Sequence, residues 1–149
     1  MLLQNAIGDA LNETEWAFPL AECLHIAGFA IGIGSIALLD LRLLNLGFLQ
    51  EKPVRILRYT ELWTVFALVL VVFSGLALFS SMPGIYRVNQ AFPIKMYVLT
   101  AALVYNFTLH RKVATMDNPA PALSKAAAIV SLLLWVAVVF GGIFTGFLI

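Results

Sequence analysis

Apolar residues in this chain run in long blocks rather than alternating with polar ones. Four blocks stand out: Leu20–Leu39, Leu62–Phe79, Ile94–Leu109 and Ala126–Phe147. Roughly 20 apolar residues of helix cross the ~30 Å hydrocarbon core of a bilayer, so each block is predicted to be a transmembrane helix, the third being the shortest and most polar. The prolines agree. Pro19, Pro53, Pro83, Pro93, Pro119 and Pro121 all fall at or between the blocks. Proline interrupts a helix interior but suits a first turn, so Pro19 and Pro93 read as helix starts and Pro83-Gly84 as a turn.

Composition changes the picture only by closing off soluble alternatives. The 149 residues are 62% hydrophobic and 11% charged, against about 25% charged in a soluble domain. The predicted fold is all-α: one polytopic membrane four-helix domain over residues 1–149. A net charge of +1 makes no electrostatic case for nucleic acid. The single cysteine, Cys23, excludes an internal disulfide and a multi-cysteine metal site.

Basic residues set the expected direction. Arg42, Lys52, Arg55 and Arg58 lie between the first and second spans, and Arg111, Lys112 and Lys125 between the third and fourth. Only Arg87, between the second and third, and Lys95, at the very start of the third, lie on the other side, and none precedes the first. Seven against two places both termini outside, in a bacterial-type inner membrane. Asp9, Glu13 and Glu15 stand where a cleaved leader would be basic, so none is expected. Residues 3–17 are expected to form a short helix on the outer surface, with Trp16 and Phe18 at the interface. Asn12-Glu13-Thr14 matches a glycosylation sequon, which matters only in a eukaryotic secretory route.

Polar groups inside spans carry what chemistry there is, since a charge in hydrocarbon costs several kcal/mol and usually has a partner. Glu22, His25, Gly28, Gly32 and Ser35 share one face of the first span. Its small residues suit either close helix packing or a groove for a flat ligand. Lys95, Leu99, Ala102, Asn106 and His110 broadly share a face of the third span. The first and third spans run in the same direction, so two polar layers are expected around an apolar middle. The outer layer holds Glu22, His25 and Lys95; the inner holds Asp40, Asn106 and His110. A Glu22–Lys95 ion pair is the structural expectation for the outer layer, and simple solvation at the helix ends is that for the inner. A ligand or proton site is the functional one.

Two histidines in a four-helix membrane bundle raise haem b, with His25 as the candidate iron ligand. Bis-histidine ligation needs both rings at similar depth. His25 and His110 lie roughly 8 Å and 24 Å below the outer ends of their spans, a gap that ordinary tilt does not close. A haem would use His25 with a non-histidine partner or with none, or equivalent histidines across an oligomer. Copper held by His25 with Met96 or Met82 is a weaker candidate. Ser74, Ser80 and Ser81 are expected to have no histidine nearby, and neither a phosphate-binding glycine loop nor HExxH is present, so classical enzymes score low.

The runs Glu22-Cys23-Leu24-His25-Ile26-Ala27-Gly28 and Asp40-Leu41-Arg42-Leu43-Leu44, with Phe92-Pro93-Ile94-Lys95, Asn106 and His110, resemble a family of small bacterial four-helix membrane proteins of unknown function. The resemblance spans about Trp16 to His110. More distantly, the layout is similar to membrane b-type cytochromes and copper-resistance D-type proteins, although the four histidines of the di-haem cytochromes are not here. The resemblance implies the architecture and the choice of residues more than an activity.

Three functions compete. The favoured one is a redox or electron-transport subunit binding haem b or a quinone at the outer layer, through His25, Glu22, Gly28, Gly32 and Lys95. An oligomeric transport protein would use both layers as gates. An accessory subunit of a larger membrane complex would use Gly141, Gly142 and Gly146 against partner helices.

Overall fold

A computed structural model describes residues 2–46 and 50–147, of which 2–5 by backbone alone. Every element among these residues is helical. In chain order they are α1 (Leu2–Glu13), α2 (Ala17–Leu43), α3 (Pro53–Ser81), α4 (Pro83–Val88), α5 (Ala91–Tyr105), a π-helical turn (Asn106–His110), α6 (Arg111–Thr115) and α7 (Pro121–Phe147). The segment α5–π–α6 is one continuous rod, so four rods of 25 to 29 residues are long and apolar enough to cross a membrane. The third has the lowest mean hydropathy, 1.2 against 1.8 to 2.5 elsewhere. At 1.5 Å per residue these rods run about 40 Å and overhang the hydrocarbon core at both ends.

Prolines punctuate the rods. Pro53 and Pro121 open α3 and α7, where the missing N–H has no intrahelical acceptor to lose. Pro19 and Pro93 are third in α2 and α5, inside the turn whose N–H groups are orphans anyway. Pro83, expected in a turn with Gly84, instead opens the six-residue α4, for the same reason that proline suits a first helical position.

Each rod packs chiefly on its chain neighbour. α2 lies against α3 and α5 against α7, with α2 joining the pairs through α7 and α3 meeting α6. Glycine allows the first of these contacts: a Cβ on Gly28 would stand 2.8 Å from Val71 Cγ2 and 3.2 Å from the Ala67 carbonyl oxygen. Two apolar clusters fill the interior. One, between the long helices, centres on Ile36, Ala102, Trp135 and Val138. The other, toward the loops after α2 and α6, holds Leu39, Leu43, Ile56, Val113 and Ala128. The end of the bundle bearing both termini is the terminal end, and the other the loop end.

Helix ends leave carbonyl and N–H groups unpaired, and side chains close several of them at the terminal end. α1 docks on the end of α3, with Gly8 against the Ser80 carbonyl and Asn12 Nδ2 donating to the Ser81 carbonyl at 3.1 Å. It is therefore packed onto the bundle and does not merely lie on the surface. Asn89, buried, donates through Nδ2 to the Thr145 carbonyl of α7 at 2.9 Å and accepts the Ala91 N–H of α5 on Oδ1 at 2.9 Å. One amide thus ties the end of α7 to the start of α5. Beside it, Phe79 stacks on Phe92 with ring centres 5.5 Å apart, and Tyr86 leans on both.

Candidate functional site

At the terminal end, α2 and α3 run antiparallel, which brings His25 and Ser74 to the same depth. His25 Nδ1 lies 2.9 Å from Ser74 Oγ. The Ser74 hydroxyl donates its one proton to the Leu70 carbonyl at 2.7 Å, so Oγ accepts from His25 Nδ1–H. In the neutral ring this leaves Nε2 unprotonated, with a free lone pair. The expectation that Ser74 has no histidine nearby is therefore wrong: antiparallel packing joins residues 49 positions apart. Gly75 keeps the space beside the ring open, since a Cβ there would stand 3.0 Å from His25 Cε1.

Phe29, one turn along α2, meets His25 edge-on at 5.0 Å. Its face lies 5.8 Å from Lys95 Nζ, a cation–π arrangement that links His25 to α5. The Lys95 stem packs on Gly141, whose added Cβ would stand 3.2 Å from Lys95 Cβ. Gly141 and Gly142 thus face α5 within the chain and are not turned toward partner helices, whereas nothing lies within 4 Å of a Cβ on Gly146. Among the described residues no ion pair joins Glu22 to Lys95. Glu22 is exposed, and its charge acts instead on Tyr86. Burial, then that negative charge, raise the Tyr86 phenol above its ordinary pKa. Gly28 and Gly32 point at α3, where Val71 and Ala67 occupy the space a flat ligand would need.

At the loop end the polar groups are more deeply enclosed. Asp40 and Ser131 have no exposed surface and His110 is 1% exposed, so the expectation that this layer is simply solvated fails for Asp40 and His110. His110 Nε2 lies 2.6 Å from Asp40 Oδ1, and the Ser131 hydroxyl donates to Asp40 Oδ2 at 2.8 Å. One carboxylate thereby joins α2, the π-turn and α7. The π-turn shifts the phase of the third rod so that His110 reaches inward; such turns often mark functional positions. Tyr105, with its ring centre 6.2 Å from that of His110, donates to the Ala127 carbonyl at 3.0 Å.

Asn106, half-buried, does not join this network. It lines a small adjoining cavity with Ser35, Thr60 and Thr64, and a Glu61–Arg111 ion pair borders it. With Ile36, Ala102, Trp135 and Val138 between the two clusters, polar ends flank an apolar middle. Ser74 and Ser131 were the residues missed from sequence; an isolated serine within an apolar run was their only signal.

The two rings hold different partners, Ser74 for His25 and Asp40 for His110, so Nε2 of His110 is not free for iron. No group of three or more His, Cys, Asp or Glu side chains among the described residues is arranged to hold a metal. No curated protein and no solved structure matches the chain. One family model does, over residues 7–148, and its description is a family of unknown function. The chain, four of whose helices are long and apolar enough to span a membrane, therefore belongs to that family, DUF6644.

Proposed function

We propose that this protein is a membrane subunit that binds a lipid-soluble carrier of the quinone class at its terminal end, in a bacterial-type inner membrane with both termini outside. The observation that carries the reading is the His25 Nδ1–Ser74 Oγ contact at 2.9 Å. Ser74 holds Nδ1–H and leaves Nε2 as an acceptor on a half-buried ring. Lys95, on the other side of Phe29, supplies a cationic donor. An acceptor for a hydroxyl proton and a donor for a carbonyl oxygen are the two groups a quinone headgroup requires on reduction or oxidation. A quinone supplies two-electron, two-proton chemistry. With a redox partner subunit exchanging the electrons, His25 would take or return a proton at Nε2 and Lys95 Nζ would orient a ring oxygen.

Haem fits the side chains less well. One chain offers only His25, since His110 is engaged by Asp40, and the α2–α3 seam below His25 is closed at Gly28. A bis-histidine haem would require His25 from two copies across an oligomer. Transport through one chain is opposed by the apolar layer, whose four central residues are at most 4% exposed. In the accessory-subunit reading, the polar clusters hold helices together and the outward faces bind partner helices.

The test is made on protein purified in mild detergent: spectra oxidised and dithionite-reduced, organic extraction, and titration with a short-chain quinone followed by tryptophan fluorescence. The expected result is quinone binding that weakens at least about tenfold, about 1.4 kcal/mol, in His25→Ala, with a smaller loss in Ser74→Ala. Binding unchanged in both variants would sink the proposal, and a Soret band lost in His25→Ala would replace quinone by haem.

A further inference from the structure

We infer that the loop end carries a binding site for a phosphate-class anion, in the cavity between the end of α2 and the starts of α3 and α7. The cavity, about 320 Å³, is lined by Arg42, Leu43, Asn45, Pro53, Pro119, Pro121, Ser124 and Lys125. Two of these are cations and none is acidic.

Arg42 is already oriented. Its Nε donates to the Glu51 carbonyl and Nη1 to Asn45 Oδ1 at 3.2 Å; its three other N–H donors have no partner among the described residues. Asn45 adopts a left-handed backbone, φ 59°, to bring its amide there. The nearby Glu51 carboxylate is held by Arg55 at 2.9 Å, so it does not neutralise Arg42. Lys125 makes no ion pair among the described residues.

The start of the 27-residue helix α7 adds the partial positive charge of its unpaired N–H groups. A second, independent feature points to a ligand. Ser124 is 8% exposed and lines the cavity; its hydroxyl bonds no other described residue and is not an enclosed orphan, so it opens onto the cavity. Arg, Lys, a serine hydroxyl and a helix N-terminus form a donor set for phosphate oxygens. Three prolines stiffen the walls, so little order is lost on binding. The same chemistry is offered by a phospholipid headgroup and by free phosphate.

The experiment uses the full chain in phosphatidylcholine nanodiscs, with phosphatidylglycerol added in one arm and inorganic phosphate in another. Thermal midpoints and native mass spectrometry of retained lipid are read. The expected result is selective retention of phosphatidylglycerol with a raised midpoint, weakened about fivefold in Lys125→Ala, less in Ser124→Ala, and unchanged in Lys112→Ala, which lies at the same end but outside the cavity. A rise with phosphatidylglycerol alone identifies a headgroup site; a rise with inorganic phosphate as well identifies a site for phosphate as such. No response in either arm, or equal losses in Lys125→Ala and Lys112→Ala, would overturn the inference. These readouts do not involve His25 and are independent of quinone binding.

Discussion

Asp40→Ala removes the acceptor shared by His110 and Ser131. Two estimates of its effect compete. Interhelical hydrogen bonds in membrane proteins average about 0.6 kcal/mol, so two lost bonds amount to about 1 kcal/mol. Leaving a buried donor without its acceptor costs about 1–3 kcal/mol for each stranded group, more where a charge is involved. Burial decides between them. Asp40 and Ser131 have no exposed surface and His110 has 1%, so water does not replace the carboxylate, and the expected loss is about 3 kcal/mol. Ser131→Ala removes one neutral donor and costs about 1 kcal/mol. The assay is reversible unfolding in mixed micelles by titration with sodium dodecyl sulfate, followed by circular dichroism, with Asp40→Ala, His110→Ala and the double variant forming a cycle. A coupling energy of about 1–3 kcal/mol is expected for groups in direct contact. A loss below about 1 kcal/mol for Asp40→Ala, with additive single effects, would refute the claim that this network holds α2, the π-turn and α7 together.

Gly28→Ala places a methyl group 2.8 Å from Val71 Cγ2 and 3.2 Å from the Ala67 carbonyl oxygen; an overpacking loss of about 1–3 kcal/mol is expected in the same unfolding assay, recovered only in part by adding Val71→Ala because the backbone contact remains. Asn89→Ala leaves the Thr145 carbonyl and the Ala91 N–H without their partner, for a loss of about 1–3 kcal/mol; a midpoint equal to wild type would show that water serves as well. Tyr86 ionises above its ordinary value because of burial and the Glu22 charge, so ultraviolet titration of the phenol should move down in Glu22→Gln and stay in place in Glu15→Gln. The raised folded value means that its contribution to stability is complete below about pH 10 and disappears as pH rises through the folded pKa; stability independent of Tyr86→Phe across that range would contradict this.

Much of the fold was legible because lipid makes a simple demand. Long apolar blocks bounded by prolines define rods whatever their neighbours, and even the relative polarity of the third rod was readable. The grouping of Asp40 with His110 followed from counting depth along parallel spans. The pairing of His25 with Ser74 was countable too, since each lies five residues inside an expected end, Leu20 and Phe79. What counting omits is rotation about the helix axis, and Ser74 faces His25 only because α3 turns that side to the Gly28 seam. The Glu22–Lys95 pair was a reasonable choice of opposite charges at one depth, but Lys95 lies over Phe29 and against Gly141, while Glu22 is turned to Tyr86 and the exposed surface.

By itself the amino-acid sequence determined the number of rods, their approximate limits and the polar character of their ends, because these depend on local hydropathy and proline placement. Only the tertiary structure decided which polar groups meet and which are buried. Ser131 lies ten residues into α7 and Asp40 three from the end of α2, so their contact depends on how far α7 overhangs its neighbour. His110 reaches Asp40 through a π-turn with no sequence signature of its own. Axial offset and rotation are set by the packing of all the rods together, since side chains close-pack in only a few mutual arrangements, and no single segment carries that information.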